Sequence, residues 1–171
     1  MSAKRYMYQP QKGDVLQKAC PPGTKVFRYR DLFDPNLMLG RDNVILLEDP
    51  MKPNTGHWVA LKLMPEYRQA YFFNSYGGKP DQKKNEWIPL ELLQASGQDE
   101  NVLNDILKGL ALKGWTIHYN DYAYQKEGDK TATCGVWAAA FLNSEQNPDV
   151  FKEKHFPLEA YYEALFRKHH W

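Results

Sequence analysis

With 171 residues the chain has the length of one domain, and its 43% hydrophobic residues exclude a disordered polymer. The 14% aromatic content, with 5 Trp, 11 Tyr and 8 Phe, supplies a large apolar payload for a core. Charge is balanced at 22 Lys+Arg against 21 Asp+Glu, and no apolar run approaches the ~20 residues that cross a bilayer. Two cysteines, Cys20 and Cys134, are too few for a disulfide scaffold and have no zinc-ligand spacing. Met1-Ser2-Ala3-Lys4-Arg5-Tyr6 is not followed by a signal-peptide stretch. The expectation is a single soluble, intracellular domain over residues 1–171, with no membrane partner, no metal and no cofactor.

Residues 1–30 carry Lys4, Arg5, Lys12, Lys18, Lys25, Arg28 and Arg30 against Asp14 alone, a net of +6 beside −5 for the remainder. Tyr6, Tyr8, Phe27 and Tyr29 lie among them. Such a basic arm grips DNA through phosphate contacts and stacking, or is simply a solvated arm whose aromatics dock on the core. Both readings stand. Cys20-Pro21-Pro22-Gly23 reads as the turn that closes it.

Short strands follow. Val44-Ile45-Leu46-Leu47 is a buried apolar run. Residues 57–63 alternate, with His57, Val59, Leu61 and Leu63 on one face and Trp58, Ala60 and Lys62 on the other. A turn at 64–69 leads into a strand at 70–74, stopped by Gly77-Gly78-Lys79-Pro80. Leu103, Ile106, Leu107 and Leu110 form a helical stripe that Gly114 ends. Trp115, Ile117 and Tyr119 alternate in a strand leading toward Gln125. From Cys134 to Leu142 the sequence is apolar nearly all round, as a buried helix requires, with Thr133 as its expected N-cap. Leu158, Tyr161, Tyr162 and Leu165 mark a last helix after Pro157. The class is α+β, with a mixed or antiparallel sheet packed against the buried helix that starts at Cys134.

A thiol in the first turn of a helix feels the positive end of the macrodipole, and a nearby imidazolium would lower its pKa further. Alone, Cys134 reads as an inert small hydrophobe, which buried free cysteines usually are, and it needs partners to be a nucleophile. His57 is the candidate base. Antiparallel pairing of 57–63 with 70–74 sets Asn74 across from positions 57–59, within ~8 Å of His57 between Cβ atoms. Its amide oxygen can then fix the imidazole's tautomer. Gln125 can donate toward the space beside the Cys134 N–H, completing an oxyanion hole. Asp121 is a spare polar residue nearby. His118, His155, His169 and His170 have no metal-ligand spacing.

Gly56-His57-Trp58-Val59-Ala60, Tyr71-Phe72-Phe73-Asn74-Ser75-Tyr76-Gly77, Tyr124-Gln125 and Thr133-Cys134-Gly135-Val136-Trp137 occur in this order. The set resembles the adenovirus-type (adenain-like) viral maturation cysteine proteases, related to the ubiquitin-like-protein proteases and closest to virophage and large DNA virus members. Asp81-Gln82 also fits that pattern. The resemblance implies a papain-like fold and catalysis by Cys134, His57, Asn74 and Gln125. It also implies substrate contacts at Trp58 and Gly135, and cleavage of viral capsid, scaffold or other precursor proteins near small residues. DNA is an activator in adenovirus relatives, which would engage the basic arm. The implied setting is the virion and the host cell interior. The sequence departs from the pattern in having Asn74 where many relatives carry an acid, and in the nine-residue step from Gln125 to Cys134. A ubiquitin/SUMO-like isopeptidase and a catalytically silent nucleic-acid or capsid-binding module remain as alternatives.

Overall fold

Both faces of the central strands are apolar, so the sheet must be covered on both sides. In β3 (Gly56–Met64), Val59, Leu61 and Leu63 enter one core while Trp58 and Ala60 enter the other. The computed structural model describes residues 12–52, 55–126, 133–144 and 158–169. Its sheet has five strands in the order β1 (Lys25–Arg28), β2 (Asp42–Glu48), β3, β4 (Gln69–Phe73) and β5 (Thr116–Tyr119). The inner pairs β2–β3 and β3–β4 are antiparallel, whereas the outer pairs β1–β2 and β4–β5 are parallel. The chain is an α+β protein with a mixed sheet.

The long connection from β4 to β5 carries α2 (Gln82–Trp87), α3 (Leu90–Ala95) and α4 (Val102–Leu112). Their Trp87, Leu93, Leu103, Leu107 and Leu110 cover the Val59–Leu61–Leu63 face. Gly114, at φ +90°, ends the α4 segment in a left-handed turn that a side chain would strain. The opposite face is covered by α5 (Cys134–Asn143), with α1 (Gly13–Ala19) and α6 (Leu158–His169) packed on it. α5 is buried from Cys134 to Leu142, as an all-round apolar helix must be. Ala138, Ala139 and Ala140 are 0% exposed and let its backbone close on β3.

Part of the basic N-terminal stretch is built into this fold. Leu16 and Ala19 of α1 are buried, β1 pairs with β2, and the Pro21–Thr24 turn closes with Thr24 N–H on the Pro21 carbonyl at 3.2 Å. Arg28 and Arg30 turn to the buried Glu48 at 3.5 and 3.3 Å, leaving Lys12, Lys18 and Lys25 exposed. Tyr6, Tyr8, the segment 127–132, His155, His170 and Trp171 lie outside the described residues. No helix among the described residues is long and apolar enough to cross a membrane.

One expectation is corrected. β5 stops at Tyr119 and does not run on toward Gln125. At the next position the Asn120 carboxamide, rather than a further β rung, takes the main chain of Asn74. β4 in turn ends at Phe73, paired with Ala60, so, among the described residues, positions 57–59 of β3 have β2 on one side and no strand on the other. That notch in the sheet is where the candidate residues meet.

Candidate active site

His57 enters the notch from the start of β3, in register with Leu47 of β2. The preceding Gly56 is sterically required. A Cβ there would stand 2.0 Å from the Leu47 carbonyl oxygen and 2.9 Å from the Glu48 Cα. The β3–β4 register extrapolates to Asn74 opposite Val59, one diagonal from His57, and the side chains meet: His57 Nε2 lies 2.8 Å from Asn74 Oδ1.

The direction of that bond follows from a third group. Asn74 Oδ1 also accepts the Tyr76 backbone N–H at 3.0 Å, so this atom of the amide must be the oxygen. Nε2 therefore donates, and in the neutral ring Nδ1 carries the lone pair. Nδ1 is buried and makes no hydrogen bond among the described residues. An unsatisfied buried nitrogen is costly in a folded protein and marks a candidate reactive atom.

Burial dominates the electrostatics. The imidazole is 0% exposed, with the Tyr76 and Trp87 ring centroids 5.2 and 5.0 Å away. Desolvation pushes its pKa down to about 4, outweighing the opposing hydrogen bond to Asn74. The resting ring is therefore neutral at pH 7, the state a candidate base requires.

Cys134 opens α5, at the helix end where backbone N–H groups and the dipole favour negative charge. Its sulfur accepts the Trp58 backbone N–H at 3.4 Å, on the stretch of β3 that β4 leaves uncovered. The sulfur thus rests against the residue that follows His57. Thr133 sits at the N-cap but makes no side-chain cap bond, because its Oγ1 is turned to Gln125. Thr133 is thus the expected N-cap residue by position, but it leaves the first-turn amides without its side-chain bond.

Gln125 lies in a loop beyond β5, only 3% exposed. Its Nε2 donates to Thr133 Oγ1 at 3.0 Å, its Oε1 accepts from Ser75 Oγ at 2.6 Å, and its N–H bonds the Ser75 carbonyl at 2.8 Å. The nine-residue step to Cys134 therefore does not separate the two in space. Gln125 is tied to the residue immediately before the thiol.

Other expected residues take different places. The Trp58 indole is buried in the second core, reaching the start of α1, and what the residue offers the site is its backbone N–H. Gly135 is buried in the first turn of α5. The Asp121 side chain is exposed. Asp81 is buried and ties α2 to its surroundings, accepting from Tyr29 Oη at 2.6 Å and the Asn104 N–H at 2.8 Å. His118 stacks on Tyr71 and bonds Gln69, remote from this chemistry in role. Ser75, Tyr76, Trp87 and Asn120 complete the site and were not anticipated. Only the turn-forming Asn120-Asp121 after an alternating strand hinted at one of them.

No family model matches this sequence. The chain is similar to the uncharacterized protein V9 of Sputnik virophage, 35% identical over 117 residues, a stretch that is 68% of this chain and 62% of that protein.

Proposed function

We propose that the chain is a papain-like cysteine endopeptidase of the adenain-like type, acting on viral capsid, scaffold or other precursor polypeptides during virion maturation. One observation carries the reading. A neutral imidazole is held by Asn74 through Nε2, its Nδ1 unbonded among the described residues, while the sulfur at the first turn of a buried helix takes the backbone N–H of Trp58, the residue after His57. Similarity to a virophage protein supports the viral setting, and with it a place in the virion and the host cell interior.

In this reading His57 Nδ1 takes the Cys134 proton as the sulfur attacks the scissile carbonyl carbon. The neutral resting ring suits that role, since an imidazolium has no lone pair to give. Asn74 holds the ring in the competent tautomer without adding charge. Negative charge on the carbonyl oxygen is met by the Cys134 N–H and the Gln125 amide. His57 returns the proton to the leaving amine, and water, deprotonated by the same nitrogen, releases the acyl group. With Cys134 2% and His57 0% exposed, substrate must displace what covers the notch, which favours thin, glycine-like residues at the bond cleaved.

The test sets the parent protein beside Cys134→Ala, each incubated with the candidate virion structural precursors. Cleavage by the parent alone is expected, and identical products from both would end the proposal. Turnover of a fluorogenic conjugate at the C-terminus of a ubiquitin-like modifier, in preference to those precursors, would make the enzyme a deconjugase instead.

A further inference from the structure

We infer that Asn120 is a positioning residue for the candidate centre, holding the histidine's partner and the oxyanion loop in one unit. The inference rests on the peptidase reading for its consequence, but its geometry stands apart from it. Asn120 is 4% exposed, just past the end of β5. Its Nδ2 donates to the Asn74 carbonyl at 2.7 Å and to the Tyr122 carbonyl at 2.9 Å, while its Oδ1 accepts the Asn74 N–H at 3.1 Å. Two carbonyls and one N–H fix the amide's orientation without ambiguity.

This side chain therefore substitutes for the β rung missing beyond Phe73. It grips both main-chain groups of the residue whose Oδ1 orients His57. Its backbone works in the same direction, because the Gly78 N–H bonds the Asn120 carbonyl at 3.0 Å. The two loops approach so closely that a Cβ on Gly77, at φ +78°, would lie 2.6 Å from the Asp121 carbonyl oxygen. The same pair of loops meets again at Ser75 and Gln125. Asn120 thus joins the segment that orients the base to the segment that presents Gln125. A displacement of about 1 Å in such a centre costs on the order of 10²-fold in rate.

The experiment reads the imidazole directly. Nitrogen-15 NMR of His57 in the parent should show one neutral tautomer, protonated at Nε2, at pH 7. In Asn120→Ala that signal should give way to mixed tautomers, and iodoacetamide labelling of Cys134 at pH 7 should slow about 10-fold or more, with Cys20 labelling unchanged. If Asn120→Ala does not fold, Asn120→Asp is read in the same way, since it keeps the volume and the acceptor but, ionised, loses both donations. An unchanged tautomer with Cys134 labelling within about two-fold of the parent, in a folded variant, overturns the inference. A parent that cleaves nothing, yet whose tautomer depends on Asn120, leaves the positioning role standing and removes only the peptidase.

Discussion

The two cysteines sit toward opposite ends of one helix, and their surroundings separate an inert thiol from a candidate nucleophile. Asn143, the last residue of α5, donates to the Ala19 carbonyl at 2.9 Å, bringing Cys20 to the C-terminal end of that helix. Ten residues of helix set that end about 15 Å from Cys134. Cys20 is also the C-cap of α1, where the dipole disfavours an anion. Burial, aided by the charge of Asp42, pushes its thiol up to about 12. Cys134 is as buried, but it lies at a helix N-terminus and its sulfur takes the backbone N–H of Trp58, the residue that follows His57, whose Nδ1 is unbonded among the described residues. Burial of a thiol decides little by itself. Which end of a helix it occupies, and what base stands beside it, decides its chemistry.

The contrast is broken most directly by substitution at each sulfur. Cys134→Ala is expected to lower cleavage of a precursor substrate by at least ~10³-fold, as removal of a nucleophile does, measured as initial rate with purified protein. Residual cleavage near the parent rate would place the nucleophile elsewhere. Gln125→Ala should cost less, about 10²–10³-fold in kcat with KM little changed, because one of two oxyanion donors is lost. A change confined to KM would show that Gln125 binds substrate without meeting the developing charge.

The base can be separated from the sulfur by stability measurements alone. His57 has a folded pKa of about 4 against an ordinary 6.5. Between those values the unfolded chain takes up a proton that the folded chain refuses, so stability falls as pH drops from about 6.5 to 4 and this contribution is constant above that window. The full loss is about 3 kcal/mol. Urea unfolding midpoints followed from pH 7.5 to 4.5 should show this slope, and His57→Gln should flatten it. An unchanged slope in that variant would assign the proton uptake to another group.

How far these features were legible in the sequence depends on whether a period encodes them. The meeting of His57 and Asn74 was readable because a hairpin turns a separation of 17 residues into adjacency, and the observed Ala60–Phe73 pairing bears this out. The α4 stripe was readable in helical spacing, and α5, buried from Cys134 to Leu142, in an apolar run with no polar face. Asn120 was not, because a carboxamide bonding main chain 46 residues away leaves no period. α1 was also missed, since it has seven residues and buries only Leu16 and Ala19, too few to make a stripe. The charge state of His57 was not legible either, because it depends on the Tyr76 and Trp87 rings, which a separate loop and helix bring to it.

The smallest effect is expected at Cys20, and it sharpens the comparison most finely. Its side chain packs in the core shared by α1 and α5 and is 8% exposed, so Cys20→Ala removes one buried sulfur. That should cost about 1 kcal/mol in urea unfolding, toward the low end for a buried truncation. Cleavage should stay within about two-fold of the parent, because α1 ends far from the notch in β3. A large loss of activity with little loss of stability would mean that the far end of α5 governs the near one, and the two thiols could no longer be treated as independent.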